Sequence, residues 1–358
     1  MTKIQINKDL SGIRNLIGKD TFVIMDNNLK HLCEYFKGCR IIGIETSEQK
    51  KRIENVLPVI DRLLDEGADR GAFILGVGGG ITTDIAGFVA SVYKRGVRFA
   101  FLPTTLLAQA DASIGGKNGV NFESYKNIIG TINQPEWVYI CAEVLRSLPA
   151  PLFRAGAAEV LKTFVLFDRE AYDEAAGYFA ELNDFFNKKG TLCNGAGIYG
   201  EERLQQLISK CAMYKSGVVE RDTYERGERR LLNLGHTFAH AIEKVCADAG
   251  RYAPIMHGEA VSIGMVLAAK VAARLHGLSN GFAERLKTDL GRAGLPVEVP
   301  CGLKDGAPIA MEMLLDALKK DKKVSGGAIH FILPDAPQQV TDKLIPFNEL
   351  EEICRDLR

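Results

Sequence analysis

GAFILGVGGGITTDIAGFVASVYK, residues 71–94, decides the fold. Its first seven residues are apolar or small, the pattern of a strand buried on both faces. Three glycines follow at 78–80, and an amphipathic helical stretch runs over Asp84–Lys94. A strand, a glycine turn and a helix in that order open a βαβ unit. Glycines let a backbone approach a pyrophosphate closely, and a helix N-terminus offers free N–H groups to an anion. Asp84 adds a carboxylate that can accept bonds from ribose hydroxyls. The spacing is not G-x-G-x-x-G, so the standard dinucleotide fingerprint is not met. A tight turn that holds no ligand is the alternative.

Outward from this stretch the same texture repeats. TFVIMD (Thr21–Asp26), CRIIGIE (Cys39–Glu45) and RFAFLPTT (Arg98–Thr105) read as strands, and Ser47–Glu66 as helix-forming sequence. Apolar strands alternating with helices predict a mostly parallel sheet covered on both faces. After Leu148-Pro149-Ala150-Pro151 the strands nearly vanish. Helical periodicity takes over in Ala155–Phe167, Glu201–Glu220, Arg230–Val245, Gly258–Leu275 and Met311–Leu318, with AIHFILP (Ala328–Pro334) as one late strand. The glycine-rich stretch Gly190–Gly200 reads as a loop between helices. The expected architecture is an α/β, Rossmann-like N-terminal domain over residues 1–150 and a mainly α-helical domain over 151–358.

Composition narrows the function classes. The 358 residues balance 45 Lys+Arg against 45 Asp+Glu, so there is no broad positive field for nucleic acid. Hydrophobic residues at 46% and charged residues at 25% are ordinary for a globular protein. No apolar run reaches the roughly 18 residues that a membrane span needs. The start, MTKIQINKDLSGIRN, lacks the apolar core of a signal peptide. The eight cysteines are scattered without a C-x-x-C pair, which points to a reduced, cytoplasmic setting.

Three regions carry candidate chemistry. Pro103–Asn121, followed by Tyr125-Lys126-Asn127, is small, polar and glycine-rich, with Asp111 and two lysines, Lys117 and Lys126. It reads as a loop at the carboxyl end of a strand, where open α/β sheets bind ligands. Of six histidines, His236, His240 and His257 fall within 22 residues. His236 and His240 share one helical face, so spacing alone selects these three as zinc ligands, with Glu259 as a fourth candidate and core histidines as the alternative. Glu159 and Lys162 sit three apart on an apolar helix, and Lys215 lies inside another; buried charges there must be paired or liganded. Glu225, Arg229 and Asn233 recur every four residues ahead of His236, either as an anion-recognition ridge or as a salt-bridged helix face. Asp321-Lys322-Lys323 is a short charge run.

Taken together, GGGITTDIAGF, YKRGVRF, LPTTLLAQADASIGGKNGVN, KNIIG, AAEVLK, RRLLNLGHTFAHAIE, HGEAVSIGM and DKK resemble the 3-dehydroquinate synthase family of the sugar-phosphate cyclases. The segments come in the family's order over roughly residues 45 to 334. The resemblance implies a metal, zinc or cobalt, on Glu159, His236 and His257, which moves His240 to the substrate side. It assigns Asp111, Lys117, Lys126, Asn127, Lys162, Lys215, Glu225, Arg229, Asn233, His240 and Lys322 or Lys323 to the substrate pocket. It implies NAD contacts at Asp26, Asn28, Glu48, Lys51, Gly79, Gly80, Ile81, Asp84, Thr104, Thr105, Leu107, Lys117, Lys126, Ser147 and Leu148. Arg95 matches an arginine that reaches the neighbouring subunit's pocket, which implies a homodimer.

The implied reaction converts 3-deoxy-D-arabino-heptulosonate 7-phosphate to 3-dehydroquinate and phosphate. It runs by transient oxidation with NAD, phosphate elimination, re-reduction and an intramolecular aldol closure. The sequence departs from the family at Thr83, Thr223 and Ala239. Thr83-Asp84 is a pairing that members making aminocyclitols or valiolones often carry. The rival activities are another cyclase of the 2-deoxy-scyllo-inosose synthase type and a metal-dependent alcohol or glycerol-phosphate dehydrogenase. A regulator that binds NAD or metal without turnover is the non-enzyme rival.

Overall fold

The structure is a computed structural model that describes residues 2–355 except 124, 196, 248–249, 278, 304–305, 321–323 and 326. The chain forms two compact units. One comprises Met1–Pro149 with Cys193–Tyr224, the other Ala150–Leu192 with Glu225–Arg358.

In the first unit, strands β1 (Lys3–Ile6), β2 (Thr21–Asp26), β3 (Arg40–Ile44), β4 (Phe73–Gly78) and β5 (Arg98–Pro103) are followed by a hairpin, β6 (Lys117–Phe122) and β7 (Tyr125–Ile132), and then by β8 (Trp137–Ile140). The main sheet runs β1-β8-β5-β4-β2-β3 with every pairing parallel. All six residues of β4 are buried, as a strand covered on both faces requires. After β3 the chain returns to the other side of β2, so the strand order reverses between β2 and β4. Loops leaving the carboxyl ends of those two strands therefore flank the crevice where such sheets take ligands.

Helix α1 spans only Leu57–Asp65, less than the helix-forming stretch 47–66, because Pro58 lacks an N–H and fits only a first turn. Helix α2 (Gly80–Val92) begins at the third glycine of the run, four residues before Asp84, and buries Thr82, Thr83 and Ile85–Ala90. The glycine-rich segment after β5 is more ordered than a loop. Ala108–Ala112 makes a π-helical turn, and 117–132 forms the antiparallel β6–β7 hairpin. Asn118 pins the base of that hairpin, donating to the carbonyls of Gly116 (3.0 Å) and Asn133 (2.9 Å).

The sequence groups residues 151–358 together, but 193–224 pack within the first unit. After helices α3 (Ala150–Phe167) and α4 (Arg169–Lys189), helix α5 (Glu201–Arg221) buries Leu204, Leu207, Ile208, Cys211 and Ala212. The Gln205 side chain on α5 accepts the Ala142 amide at 2.6 Å. Apolar periodicity identifies such a helix without saying which core it joins.

The second unit holds α3 and α4 together with α6 (His236–Ala247), α7 (His257–Leu275), α8 (Gly281–Arg292), α9 (Met311–Lys319), the short strand β9 (Val324–Ser325), the hairpin β10 (Ala328–Ala336) and β11 (Gln339–Pro346), and α10 (Phe347–Cys354). Helices α3 and α7 are buried along most of their length. Strand β11 escapes a hydropathy reading because only Ile345 on it is buried. The periodic run from Arg230 is not one helix. Glu228–Asn233 is a 3-10 segment, and Gly235 at φ +77° separates it from α6. No described helix is long and apolar enough to cross a membrane.

Candidate active site

Two close backbone approaches assemble the centre of the second unit. At Gly258, the second residue of α7, an added Cβ would stand 1.8 Å from the Ala155 carbonyl oxygen on α3. Ala155 lies one helical turn before Glu159, so this contact sets His257 beside that carboxylate. At Gly264, one and a half turns further along α7, a Cβ would stand 2.1 Å from the Gly235 carbonyl oxygen. That contact sets the start of α6, and with it His236, against α7. The His236 and His257 rings come to 5.1 Å between centroids.

The three side chains converge. Glu159 Oε1 lies 3.6 Å from His236 Nε2 and 3.4 Å from His257 Nε2. One ligand atom from each of Glu159, His236 and His257 lies within 4.8 Å of the others, a set that could hold a metal ion. Both imidazoles are anchored through Nδ1, His236 at the Leu234 carbonyl (3.1 Å) and His257 at Glu243 Oε1 (3.2 Å). Such anchoring leaves each Nε2 lone pair aimed at the common point, the usual arrangement of metal-ligating histidines. One carboxylate and two imidazoles are a donor set that suits zinc or cobalt and leaves coordination positions for a substrate.

The local electrostatics are polarised. Burial, with the Lys162 charge and the neighbouring His257 and His240, pushes His236 well below its ordinary value and keeps it neutral. Burial works to lower His257 too, but Glu159 and Glu243 outweigh it and push it up to about 10. A dication at that point would take the place of the proton those carboxylates favour. Lys162 is 1% exposed, with Nζ 2.6 Å from Glu159 Oε2.

Other sequence candidates fall into place around this set or away from it. His240 sits at the rim, its ring centroid 5.8 Å from His236 and 6.4 Å from His257, outside the convergent triad that spacing alone had placed it in. Glu259 is no fourth ligand, because its Oε2 accepts the Met256 amide at 2.9 Å and caps α7. Glu225, Arg229 and Asn233 do not form a helical ridge, since Glu225 has φ +57° and the rest lie in the 3-10 segment. Asn233 Nδ2 nonetheless donates to Glu225 Oε1 at 2.5 Å, and Arg229 is buried. Lys322 and Lys323 lie outside the described residues. Glu243 was missed by sequence reasoning, although its position seven residues after His236 puts it on the same face of α6.

The first unit gathers a second set of candidates. Gly78–Gly80 end β4 and start α2, whose first turn has no side-chain cap, leaving amides without intrahelical partners. A Cβ on Gly79 would stand 3.0 Å from Thr105, and one on Gly80 3.2 Å from Ala112, so the turn is a bare-backbone cradle suited to a phosphate. Thr104 is buried beside the turn, its amide donating to the Gly78 carbonyl at 2.8 Å. Thr105 Oγ1 caps Ala108, next to Leu107. Ile81 occupies the first turn of α2.

Lys51 bridges the Asp84 carboxylate and Asn127 Oδ1. Asn121 joins them, accepting the Asn127 amide at 2.8 Å and donating to Glu48 Oε1 at 2.8 Å. Burial raises Asp84 above the usual carboxylate range, and the Lys51 charge opposes this. At the end of β2, Asp26 accepts Asn28 (2.9 Å) and Thr46 Oγ1 (2.5 Å). Asn121 and Thr46 are additions that sequence reading did not single out. Ser147 Oγ is 3.4 Å from His31 Nε2, and Leu148 follows it. Lys215 on α5 pairs with the Asp111 carboxylate on the π-helical turn. Lys117 and Lys126 sit exposed on the β6–β7 hairpin, and Arg95 is exposed on the turn after α2.

Residues 41–155 match the 3-dehydroquinate synthase N-terminal domain, and residues 156–324 match the C-terminal domain. The chain belongs to the 3-dehydroquinate synthase family. The 3-dehydroquinate synthase of Thermococcus kodakarensis is 41% identical over 82% of this chain and 74% of its own length. That of Prochlorococcus marinus is 38% identical over 90% and 80%. Among solved structures, 2-epi-5-epi-valiolone synthase from Streptomyces hygroscopicus, with NAD+ and Zn2+ bound, has a TM-score of 0.82 at 25% identity, covering 100% of this chain and 96% of that one. A 2-deoxy-scyllo-inosose synthase with carbaglucose-6-phosphate, NAD+ and Co2+ has a TM-score of 0.78 at 24%, covering 99% and 96%, and shows the shared fold. Within the 3-dehydroquinate synthase family, Thr83 is a departure without reach. It is 1% exposed and its hydroxyl donates to the Gly80 carbonyl of its own helix at 3.0 Å. Thr223 likewise donates back to Val219 at 3.0 Å, and Ala239 is fully buried.

Proposed function

We propose that this enzyme converts 3-deoxy-D-arabino-heptulosonate 7-phosphate to 3-dehydroquinate and phosphate, using NAD and a divalent cation with no net redox change. The observation that carries the reading is the convergence of Glu159 Oε1 with the Nε2 atoms of His236 and His257 in a chain of this family. The relatives at 38–41% identity are 3-dehydroquinate synthases, whereas the valiolone-forming structural neighbour stands at 25%.

Glu159, His236 and His257 would hold the cation, which would supply Lewis-acid polarisation of a substrate hydroxyl. The glycine turn 78–80 and Asp84 would hold NAD, which would supply a reversible hydride acceptor. Lys51 fixes the Asp84 carboxylate for the ribose, and Asp26 with Asn28 flanks the same crevice. Lys162 and Arg229, both buried, offset the negative charge of an acidic, phosphorylated substrate. Glu225 and Asn233 hold each other in register for its hydroxyls, and His240 at the rim handles a proton. Within the first unit, Lys215 with Asp111, and Lys117, Lys126 and Asn127 on the hairpin, are polar groups suited to an anionic ligand. Holding the open-chain intermediate folded for ring closure is a proximity effect. The functional form is a homodimer in a reducing, cytoplasmic setting. Arg95 would reach the neighbouring copy from a turn in which Lys94 (φ +47°) and Arg95 (φ +68°) are held left-handed.

The test is turnover of the purified protein with NAD and a divalent cation. The heptulosonate phosphate should give 3-dehydroquinate and phosphate in equal amounts, and a hexose 6-phosphate should give neither. Cyclisation of the hexose phosphate instead would assign the chain to another cyclase activity. The nucleotide half has its own test. Asp84→Asn should weaken NAD binding roughly ten- to a hundredfold by calorimetry, the worth of one charged hydrogen bond of about 1.5–3 kcal/mol. An unchanged dissociation constant would remove Asp84 from the nucleotide site.

A further inference from the structure

We infer that Glu243 is a positioning residue for the cation, acting through His257; this rests on the metal-site reading above. Helix α6 places His236 at its first residue and Glu243 two turns later on the same face. From there the carboxylate reaches His257 Nδ1 at 3.2 Å, with the Glu243 side chain 12% exposed. The two imidazoles are therefore held differently. His236 leans on a neutral backbone carbonyl, whereas His257 leans on a carboxylate.

Two consequences follow. The carboxylate fixes the tautomer, with Nδ1–H donated to Glu243 and the Nε2 lone pair turned towards Glu159 Oε1, 3.4 Å away. It also makes His257 the stronger donor of the pair. Charge gives an independent reason. Lys162 already draws on Glu159 across 2.6 Å, so one carboxylate at the cluster is shared with a buried ammonium. Glu243 supplies a second negative charge within one imidazole of the ligand atoms, and so offsets the charge of a dication in a mostly buried site.

The experiment titrates metal-free wild-type, E243Q, E243A and H236A proteins with Co2+, following the visible d–d absorption and competition with a chelator. Thermal melts of the metal-free proteins run in parallel. E243Q keeps the side chain's size and an oxygen acceptor and removes only the charge. It should bind Co2+ about ten- to a hundredfold more weakly than wild type, with an altered visible spectrum and a metal-free protein that still melts cooperatively. E243A should lose at least as much. A role in packing alone would leave E243Q with wild-type affinity and spectrum, and that result overturns the inference. H236A separates this failure from failure of the underlying reading. If H236A loses Co2+ while E243Q keeps it, only the role of Glu243 falls. If H236A binds like wild type, or wild type does not bind, the metal site falls and takes the inference with it.

Discussion

Glu159→Ala is expected to abolish phosphate release and to destabilise the folded chain at once. The residue has two dependants, the ligand set with His236 and His257 and the buried ammonium of Lys162. Loss of Lewis-acid assistance is worth several kcal/mol of transition-state stabilisation, so turnover should fall by roughly a thousandfold or more. Removing one partner of a buried ion pair costs about 3–5 kcal/mol, because the remaining charge keeps its desolvation penalty. Lys162, at 1% exposed, has little water to turn to. Thermal denaturation reads the second effect and an initial-rate assay the first. Glu159→Gln keeps the shape and separates them, since it should lose activity while losing less stability. Wild-type turnover in either variant would remove Glu159 from the centre.

Gly258→Ala is expected to do nearly as much damage from a residue that touches no ligand. The new methyl would meet the carbonyl oxygen, carbonyl carbon and Cα of Ala155 at 1.8, 2.5 and 2.8 Å. These are backbone atoms, so no side chain can swing aside. The start of α7 must lift from α3, which costs about 1–3 kcal/mol or more as overpacking. His257 is the adjacent residue and moves with it, away from Glu159. A misplacement of about 1 Å in such a constellation costs on the order of a hundredfold in rate. A melting temperature several degrees lower, together with weaker cation binding, is the expected pair of results. Wild-type values for both would mean that the helix contact does not set the site.

How much of this was legible in the sequence depends on the kind of contact involved. The strands of the parallel sheet are short apolar runs and read directly, because each is buried on both faces. The edge strand β11 does not, because all its residues but Ile345 are at least partly exposed and its apolar residues do not alternate. The hairpin over 117–132 hides in a glycine-rich stretch, where Asn118 ties the Gly116 carbonyl to that of Asn133, fifteen residues beyond Asn118, a pairing that local hydropathy does not encode. Helical spacing offered His240 as readily as His236. It could not offer Glu159, 77 residues upstream of His236, which only the family resemblance supplied. Spacing also misread Glu259, which caps its own helix, and gave Glu225, Arg229 and Asn233 a helical face that Gly235 and the positive φ of Glu225 deny them. Helix α5 was read as a helix but assigned to the wrong core, since amphipathicity does not name a partner.

The central claim is a cation-assisted elimination in which NAD would be reduced and then reoxidised within each turnover, with no net redox change. It is tested most directly by following phosphate release from the heptulosonate phosphate and absorbance at 340 nm in the same cuvette, before and after adding a chelator. The account predicts steady phosphate release with no accumulation of NADH, loss of release with the chelator, and recovery on adding Zn2+ or Co2+. A stoichiometric rise at 340 nm, or release that the chelator leaves untouched, would contradict it.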